Sequence, residues 1–387
     1  MNLYNTPMNH QERTSAAEQL LRRRLENVYP NRDAFISRIA SEEKLTFYLG
    51  IDPTGSELHL GHTIPLLVLR DLAKLGHQII LLIGDFTARI GDPTGKSSAR
   101  VALSTEEVEA NMNSYVQQVE KILEPGTFRV VYNSEWLSRL TMSEVIRLTS
   151  HVTVQQMIQR DMFQERLTAE KPIYLNEFLY PLLQGYDSVA LQTDGEVGGN
   201  DQTFNMLMGR ELERAILGKE KLVLATRLLV NGASGKKMSK TEGSIISVND
   251  SAQEIRRKVL SFDDSMIREL FLLCTDISEG EISNWQREGE PPAQPREAKE
   301  ALAAALIRTY QGEGAVGEAA APISSEAADT LVQFLKENGV SNSSTTAKAL
   351  IDQGAVMVNG VVEKGWNVEI KSGDEIHVGK GKRFHVK

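Results

Sequence analysis

Leu45-Thr46-Phe47-Tyr48-Leu49-Gly50-Ile51, followed by Asp52-Pro53-Thr54-Gly55-Ser56-Glu57-Leu58-His59-Leu60-Gly61-His62 and Thr63-Ile64-Pro65-Leu66-Leu67-Val68-Leu69-Arg70-Asp71-Leu72, decides the fold of this chain. The first run is short and apolar, bounded by Gly and Pro, and reads as a buried strand. The last reads as a helix with Pro in its opening turn. Strand, glycine-containing turn and helix start place Gly61 and His62 at a helix N-terminus, where free N–H groups and the helix dipole favour an anion. A structural turn carrying two incidental histidines would look the same in isolation.

Strand-like and helix-like segments alternate outward from this point as far as about residue 245. The strands are Gln78–Gly84, Phe128–Tyr132 and Leu222–Thr226; helical patterns cover 106–123, 142–150 and 200–217. This alternation predicts a Rossmann-like, doubly wound α/β domain whose parallel sheet binds its ligand at the carboxyl ends of the strands. Residues 250–315 read as helical, broken by the Pro-rich Glu290–Pro295. Beyond the Gly- and Ala-rich stretch ending at Ala321 the composition changes again. The expected organisation is a catalytic domain over 1–245, an α-helical domain over 246–322 and a small α+β domain over 330–387.

Composition excludes several classes. The 387 residues carry a net charge of −9 and a single cysteine, Cys274, so no intrachain disulfide is available and nothing points to an oxidising compartment. No apolar run reaches the length of a membrane span and the N-terminus lacks a signal-peptide core, so a cytoplasmic protein without a membrane role is expected. A net negative charge argues against indiscriminate nucleic-acid binding but not against a local site. Residues 331–387 hold eight basic and six acidic side chains and end in Lys380-Gly381-Lys382-Arg383-Phe384-His385-Val386-Lys387.

Three further motifs carry chemistry. Gly91-Asp92-Pro93-Thr94-Gly95-Lys96-Ser97-Ser98 imitates a phosphate-binding P-loop but has three residues between its glycines where that motif needs four. Read otherwise, it offers Asp92 as one carboxylate, with Lys96 and Arg100 one helical turn apart. In Asn176–Asp187, Tyr180, Gln184 and Asp187 fall at i, i+4 and i+7 on one helix face. Such a stripe is either a buried hydrogen-bonded network or a ligand wall. Gly198-Gly199-Asn200-Asp201-Gln202 follows, and Lys237-Met238-Ser239-Lys240-Thr241 closes the set.

Together, in this order, the His59-Leu60-Gly61-His62 and Lys237–Thr241 strings resemble the paired signature motifs of class I aminoacyl-tRNA synthetases. With the Tyr48, Tyr180, Gln184 and Asp187 constellation, nearly the whole chain resembles the bacterial tyrosyl-tRNA synthetases. That resemblance implies activation of L-tyrosine by ATP to tyrosyl-adenylate, then transfer to the terminal adenosine of tRNA(Tyr), without a covalent enzyme intermediate. It implies that Tyr48 and Asp187 bind the substrate phenol, and that Tyr180, Gln184 and Asp92 hold its ammonium. Gly199, Asp201 and Gln202 would contact ribose and amino acid, and Asp52 and Gly61 would line the nucleotide path. Thr54, His59, His62, Lys96, Arg100, Lys237 and Lys240 would grip the transition state. Mg²⁺ is expected to arrive with ATP, and no structural metal is expected, since no Cys/His cluster has zinc spacing.

The motifs depart slightly from the broader class, with Leu60 at the usual isoleucine and Thr241 closing the second string. Leu49 stands where some relatives carry a polar side chain near the ribose. The resemblance also implies a homodimer joined through an insertion at about 125–180, with Val152, Val154, Met157, Ile158 and Leu175 as interface residues unless they are buried within the subunit. The tail Thr346–Gly360 reads as helix, glycine cap, strand and Asn-Gly turn. It resembles the small RNA-binding fold of the ribosomal-protein-S4 type, with Lys348 as the one cation on its helix. A tryptophanyl-tRNA synthetase, an HxGH nucleotidyltransferase and a non-catalytic RNA-binding synthetase paralogue are the rival readings.

Overall fold

The computed structural model describes residues 8–94, 104–230, 245–318, 323–325, 328, 330–341, 343–379 and 381–387. The chain divides into two compact units, Met1–Asn249 with Asp263–Ala293, and Asp250–Phe262 with Gln294–Lys387. The helical stretch expected over 246–322 contributes to both.

The first unit is built on a six-stranded sheet: β1 (Leu25–Tyr29), β2 (Thr46–Ile51), β3 (Gln78–Ile83), β4 (Phe128–Tyr132), β5 (Gly195–Gly199) and β6 (Leu222–Thr226), in the order β1-β6-β5-β2-β3-β4. Five strands are parallel, and β1 joins the edge antiparallel to β6. The parallel strands are apolar runs because helices cover both faces. Most residues of β3 and all of β6 are buried.

Two strands escape the sequence reading for physical reasons. β5 holds three glycines, poor strand formers by composition. They are there because neighbours crowd the backbone: a Cβ on Gly195 would run into the Phe47 ring, and one on Gly198 would meet Met206 Sδ at 2.9 Å. β1 is an exposed-edge strand whose sequence, Leu-Glu-Asn-Val-Tyr, has no clear apolar alternation.

The helix after the first motif spans Leu60–Lys74 and is buried along most of its length. It begins earlier than the sequence suggests, so Pro65 falls in its second turn. The polar-stripe helix spans Leu175–Leu191 and ends at Gln192 in the left-handed region (φ 53°). It packs against the helix Thr203–Leu217 through Gly185 and Gly209, whose missing side chains let the two backbones approach. Buried Arg23 and Arg24 donate to the carbonyls of Phe271, Leu272, Leu273, Thr275 and Ile277. These guanidiniums cap the C-terminal end of the helix Ile267–Cys274, where cations are favoured, and tie residues 263–293 to the first unit.

In the second unit the helices Ala252–Ser261 and Pro295–Gln311 are joined by a bidentate Arg256–Glu300 pair (2.6 and 2.7 Å). Its sheet comprises β7 (Ile323–Ser325), β8 (Val356–Val358), β9 (Val361–Val362), β10 (Glu375–Val378) and β11 (Lys382–Val386), ordered β7-β11-β10-β8-β9. The β8–β9 hairpin turns at Asn359 (φ 52°) and Gly360 (φ 80°), the positive-φ pair that a two-residue Asn-Gly turn demands. Phe334 meets Phe384 edge-on at 5.3 Å in a core shared with Leu331, Leu335, Ile351, Val356 and Ile376.

Candidate active site

The candidate residues converge at the carboxyl ends of β2 and β5, where an open parallel sheet binds ligands. His59 caps the helix Leu60–Lys74, and its Nδ1 accepts from the Gly61 N–H at 3.2 Å. The His59 N–H in turn donates to His62 Nδ1 at 3.2 Å. A backbone N–H can only donate, so each Nδ1 is an acceptor and each ring hydrogen is assigned to Nε2. The two half-buried rings lie 3.8 Å apart, 30° from parallel. The motif therefore carries two Nε2–H groups at a helix N-terminus. Thr54 is exposed beside it, and Gly61 is half-buried.

Asp52 follows the end of β2. It accepts from Thr87 Oγ1 (2.7 Å) and from Tyr180 Oη (2.8 Å). Gly84 makes room for this carboxylate, since a Cβ there would collide with it. Asp92 accepts from Gln202 Nε2 (2.7 Å) and from the Thr94 N–H (2.9 Å). Burial, then the negative charges of Asp52 and Asp92, push the Tyr180 hydroxyl well above its ordinary pKa, so it stays a protonated donor. Asp201 lies in the short turn Asn200–Gln202 after β5, against the open face of Gly199.

Tyr48 is fully buried in β2, and its hydroxyl lies 2.8 Å from Ser188 Oγ. Asp187 is buried and accepts from Trp136 Nε1 (2.8 Å) and Asn133 Nδ2 (3.3 Å). Burial raises the pKa of its carboxyl well above the usual range, against the pull of those two donors. Tyr48 is raised likewise, by burial and then by the charges of Glu196 and Asp187. Gln184 donates to Glu196 (3.3 Å). The polar stripe is thus a hydrogen-bonded network, each of its three residues tied to a partner on a different element.

Tyr48, Asp52, Asp92, Tyr180, Gln184, Asp187, Gln202, Gly199, Asp201, Thr54, His59, Gly61 and His62 all belong to this unit. Lys96, Arg100, Lys237 and Lys240 lie outside the described residues. Seven participants have no place in the sequence reading. Asn133 and Trp136 follow the end of β4, where the strand-end rule would have flagged them; Asn133 also accepts from the Phe86 N–H and donates to Thr87 Oγ1. Ser188 continues the stripe at i+8 from Tyr180. Thr87, Glu196 and Lys221 have no comparable local signal. Arg160 donates to Thr94 Oγ1 (2.8 Å), and its guanidinium lies 4.5 Å from the Phe204 ring centre. Burial lowers its pKa to about 10 despite nearby Asp92 and Tyr180.

Comparison with known proteins identifies the family. Residues 40–326 match the family described as tRNA synthetases class I (W and Y), and residues 325–387 match the S4 domain. The tyrosine-tRNA ligase of Haemophilus ducreyi is 39% identical over 88% of this chain and 90% of its own length. That of Thermotoga maritima is 38% identical over 92% and 93%. Among solved structures, tyrosyl-tRNA synthetase from Archaeoglobus fulgidus, complexed with L-tyrosine, aligns with a TM-score of 0.62 at 24% identity over 79% of this chain and 99% of its own. A truncated mitochondrial tyrosyl-tRNA synthetase from Coccidioides posadasii gives 0.64 at 23%, over 80% and 94%. At that identity the two structures speak for the fold, while the sequence relatives speak for the family. The chain belongs to the tyrosine-tRNA ligases, within the class I tRNA synthetases.

Proposed function

We propose that this chain activates L-tyrosine with ATP, forming tyrosyl-adenylate and pyrophosphate, and then transfers the tyrosyl group to tRNA(Tyr). The observation that carries the reading is the buried Tyr48 and Asp187 wall in the same unit as a helix N-terminus that carries two histidines. Tyr48 and Asp187 hold the phenol. The substrate ammonium sits among Tyr180, Gln184 and Asp92. Gly199, Asp201 and Gln202 face ribose and amino acid, and Asp52 and Gly61 line the nucleotide path. No side chain needs to act as a nucleophile. The tyrosine carboxylate attacks the α-phosphate, and His59 and His62, with Thr54, Lys96, Arg100, Lys237 and Lys240, stabilise the charge that builds on the phosphorane. Mg²⁺ enters with ATP, held mainly by phosphate oxygens; Asp52 and Asp92 already accept from Tyr180, Thr87 and Gln202.

The functional division follows 1–245, 246–322 and 330–387, with the last module docking tRNA. Its Lys348 lies 4.6 Å from the ring centre of Trp366, a half-exposed aromatic suited to stacking on a base. A chain ending at Ala321 should keep tyrosine-dependent pyrophosphate exchange and lose most tRNA charging; a folded truncation without exchange would refute the division. A homodimer is supported by an apolar face left open on the 125–180 segment, where Met142, Ile146, Val154 and Leu175 are 74, 62, 60 and 81% exposed. Met157 is buried within the subunit and does not belong to that face. Sedimentation at micromolar concentration should give a dimer. No helix among the described residues is long and apolar enough to cross a membrane, and a cytoplasmic site of action accords with the reaction.

ATP–pyrophosphate exchange with each of the twenty amino acids tests the central reading. Tyrosine alone should support rapid exchange. Faster exchange with tryptophan would overturn the assignment of the phenol wall.

A further inference from the structure

The wall behind Tyr48 contains an ion pair that binding of tyrosine does not by itself require. Lys221, immediately before β6, is fully buried, and its ammonium contacts the Glu196 carboxylate and donates to Ser188 Oγ at 2.5 Å. Ser188 Oγ lies 2.8 Å from the Tyr48 hydroxyl, and the ammonium stands 5.6 Å from the centre of the Tyr48 ring. Glu196 is the immediate neighbour of Tyr48 across the β2–β5 ladder. The site is shaped for this contact: a Cβ on Gly209 would fall 2.5 Å from Ser188 Oγ and 2.6 Å from Lys221 Nζ. An isolated charge here would be prohibitively costly, and so would removal of one partner.

Donor and acceptor rules give the arrangement a direction. An ammonium has hydrogens and no lone pair, so Ser188 Oγ must accept from Lys221. Its own hydrogen is then available for the Tyr48 oxygen. The Tyr48 hydrogen has two possible acceptors, the Glu196 carboxylate with which Tyr48 also interacts and a substrate oxygen, and Lys221 and Gln184 occupy Glu196 and weaken its claim. Without the cation, Glu196 would keep the Gln184 donor but lose its counter-charge, and would draw that hydrogen more strongly away from the substrate.

We propose that Lys221 and Ser188 are positioning residues for tyrosine recognition, fixing a one-way hydrogen-bond chain from Lys221 through Ser188 and Tyr48 to the substrate phenol and on to Asp187. The chain begins at a group that can only donate and ends at one that accepts from Trp136 and Asn133. A phenol fits between Tyr48 and Asp187 because it both accepts and donates. Phenylalanine does neither and leaves both neighbours unsatisfied. This inference rests on the reading that Tyr48 contacts the phenol.

The test is the ratio of kcat/KM for tyrosine over phenylalanine in pyrophosphate exchange, measured on full-length wild type, Ser188→Ala, Lys221→Met, Tyr48→Phe, and each of the first two variants combined with Tyr48→Phe. Ser188→Ala keeps the buried ion pair, so it stays informative if Lys221→Met does not fold. Each of Ser188→Ala and Lys221→Met should lower the ratio by about tenfold through tyrosine, with phenylalanine activation nearly unchanged. Neither should lower it further once Tyr48 is Phe, because all three act through one hydroxyl. A purely structural role would depress both substrates and would add to Tyr48→Phe. If Tyr48→Phe lowers the ratio while Ser188→Ala leaves it unchanged or acts additively, the chain is refuted and the phenol reading stands. If Tyr48→Phe itself leaves the ratio unchanged, the phenol reading falls and takes the chain with it.

Discussion

On the proposed reading, the two parts of the site solve opposite electrostatic problems. On the amino-acid side Tyr48 and Asp187 are buried and already hydrogen-bonded to Ser188, Trp136 and Asn133. On the proposed phosphate side His59 and His62 are half-buried, and their fixed feature is a tautomer: one backbone N–H holds each Nδ1 and leaves the ring hydrogen on each Nε2. A neutral ring can be told from its deoxy analogue only by polar groups that water cannot satisfy. A charge that exists only during phosphoryl transfer needs donors aimed before it forms. The proposed roles therefore rest specificity on burial, and rate on orientation.

The sharpest way to break this division is at the histidines. Replacing His59 and His62 together by Ala should lower the rate of tyrosyl-adenylate formation by about 10³-fold or more, at about 10²–10³ per oriented donor. Equilibrium binding of tyrosine should stay near the wild-type value if the two parts of the site act independently. Pre-steady-state adenylate formation and equilibrium dialysis separate the two. A comparable loss of tyrosine affinity would mean that the two sides are not independent. Lys240→Ala should behave in the same way.

The converse change lies on the amino-acid side. Asp187→Asn keeps the shape but swaps an acceptor for a group that also donates, and should cost about 10–10²-fold in kcat/KM for tyrosine. Tyr48→Phe should cost less, since one partner of the phenol remains. The full discrimination of about 10⁵-fold against phenylalanine is a value known for tyrosyl-tRNA synthetases themselves; it sets the scale, and the geometry of the wall supplies only the direction. Activation kinetics with both amino acids checks the order. Equal losses for tyrosine and phenylalanine would show that Asp187 holds the wall together without reading the ring.

The two sides also differ in how far the sequence revealed them. Strand, turn and helix start around His59 are contiguous, so motif and geometry are the same information. The bounds of β4 and β6 match the apolar runs Phe128–Tyr132 and Leu222–Thr226. The stripe Tyr180, Gln184 and Asp187 was legible because helical spacing puts those residues on one face. Its partners were not. Ser188 and Tyr48 are 140 positions apart, and Ser188 and Lys221 are 33 apart. Nothing periodic connects them. Glu196 hides in a glycine-rich strand that composition argues against, and Lys221 stands beside an apolar run like any surface lysine that precedes a strand. Local spacing records which face a residue occupies; tertiary packing decides what it meets there.

One buried carboxylate behind the amino-acid wall breaks the pattern of commitment, and it gives the smallest expected effect. Glu213, on the helix Thr203–Leu217, is fully buried, and neither carboxyl oxygen has a hydrogen-bond partner among the described residues. Burial raises its pKa to about 7, against the attraction of Lys221 and Lys219. Between an unfolded value near 4.5 and about 7 the folded chain therefore holds the extra proton, so this group makes stability fall as pH rises through that window. Buried His77 acts in the opposite sense: its pKa is lowered to about 4, so the unfolded chain binds the extra proton up to about 6.5 and stability rises with pH. The two slopes oppose each other over most of the same range. Glu213→Gln removes the falling slope, leaves that of His77 and should raise stability at pH 8 by about 1–3 kcal/mol. Thermal unfolding of wild type and variant at pH 5, 6, 7 and 8 should show the gain growing with pH, with the tyrosine-to-phenylalanine ratio unchanged. A gain independent of pH would mean that Glu213 is already neutral, or already paired, throughout the range. A changed ratio would place Glu213 inside the recognition wall, and the boundary of that wall would move outward from Lys221.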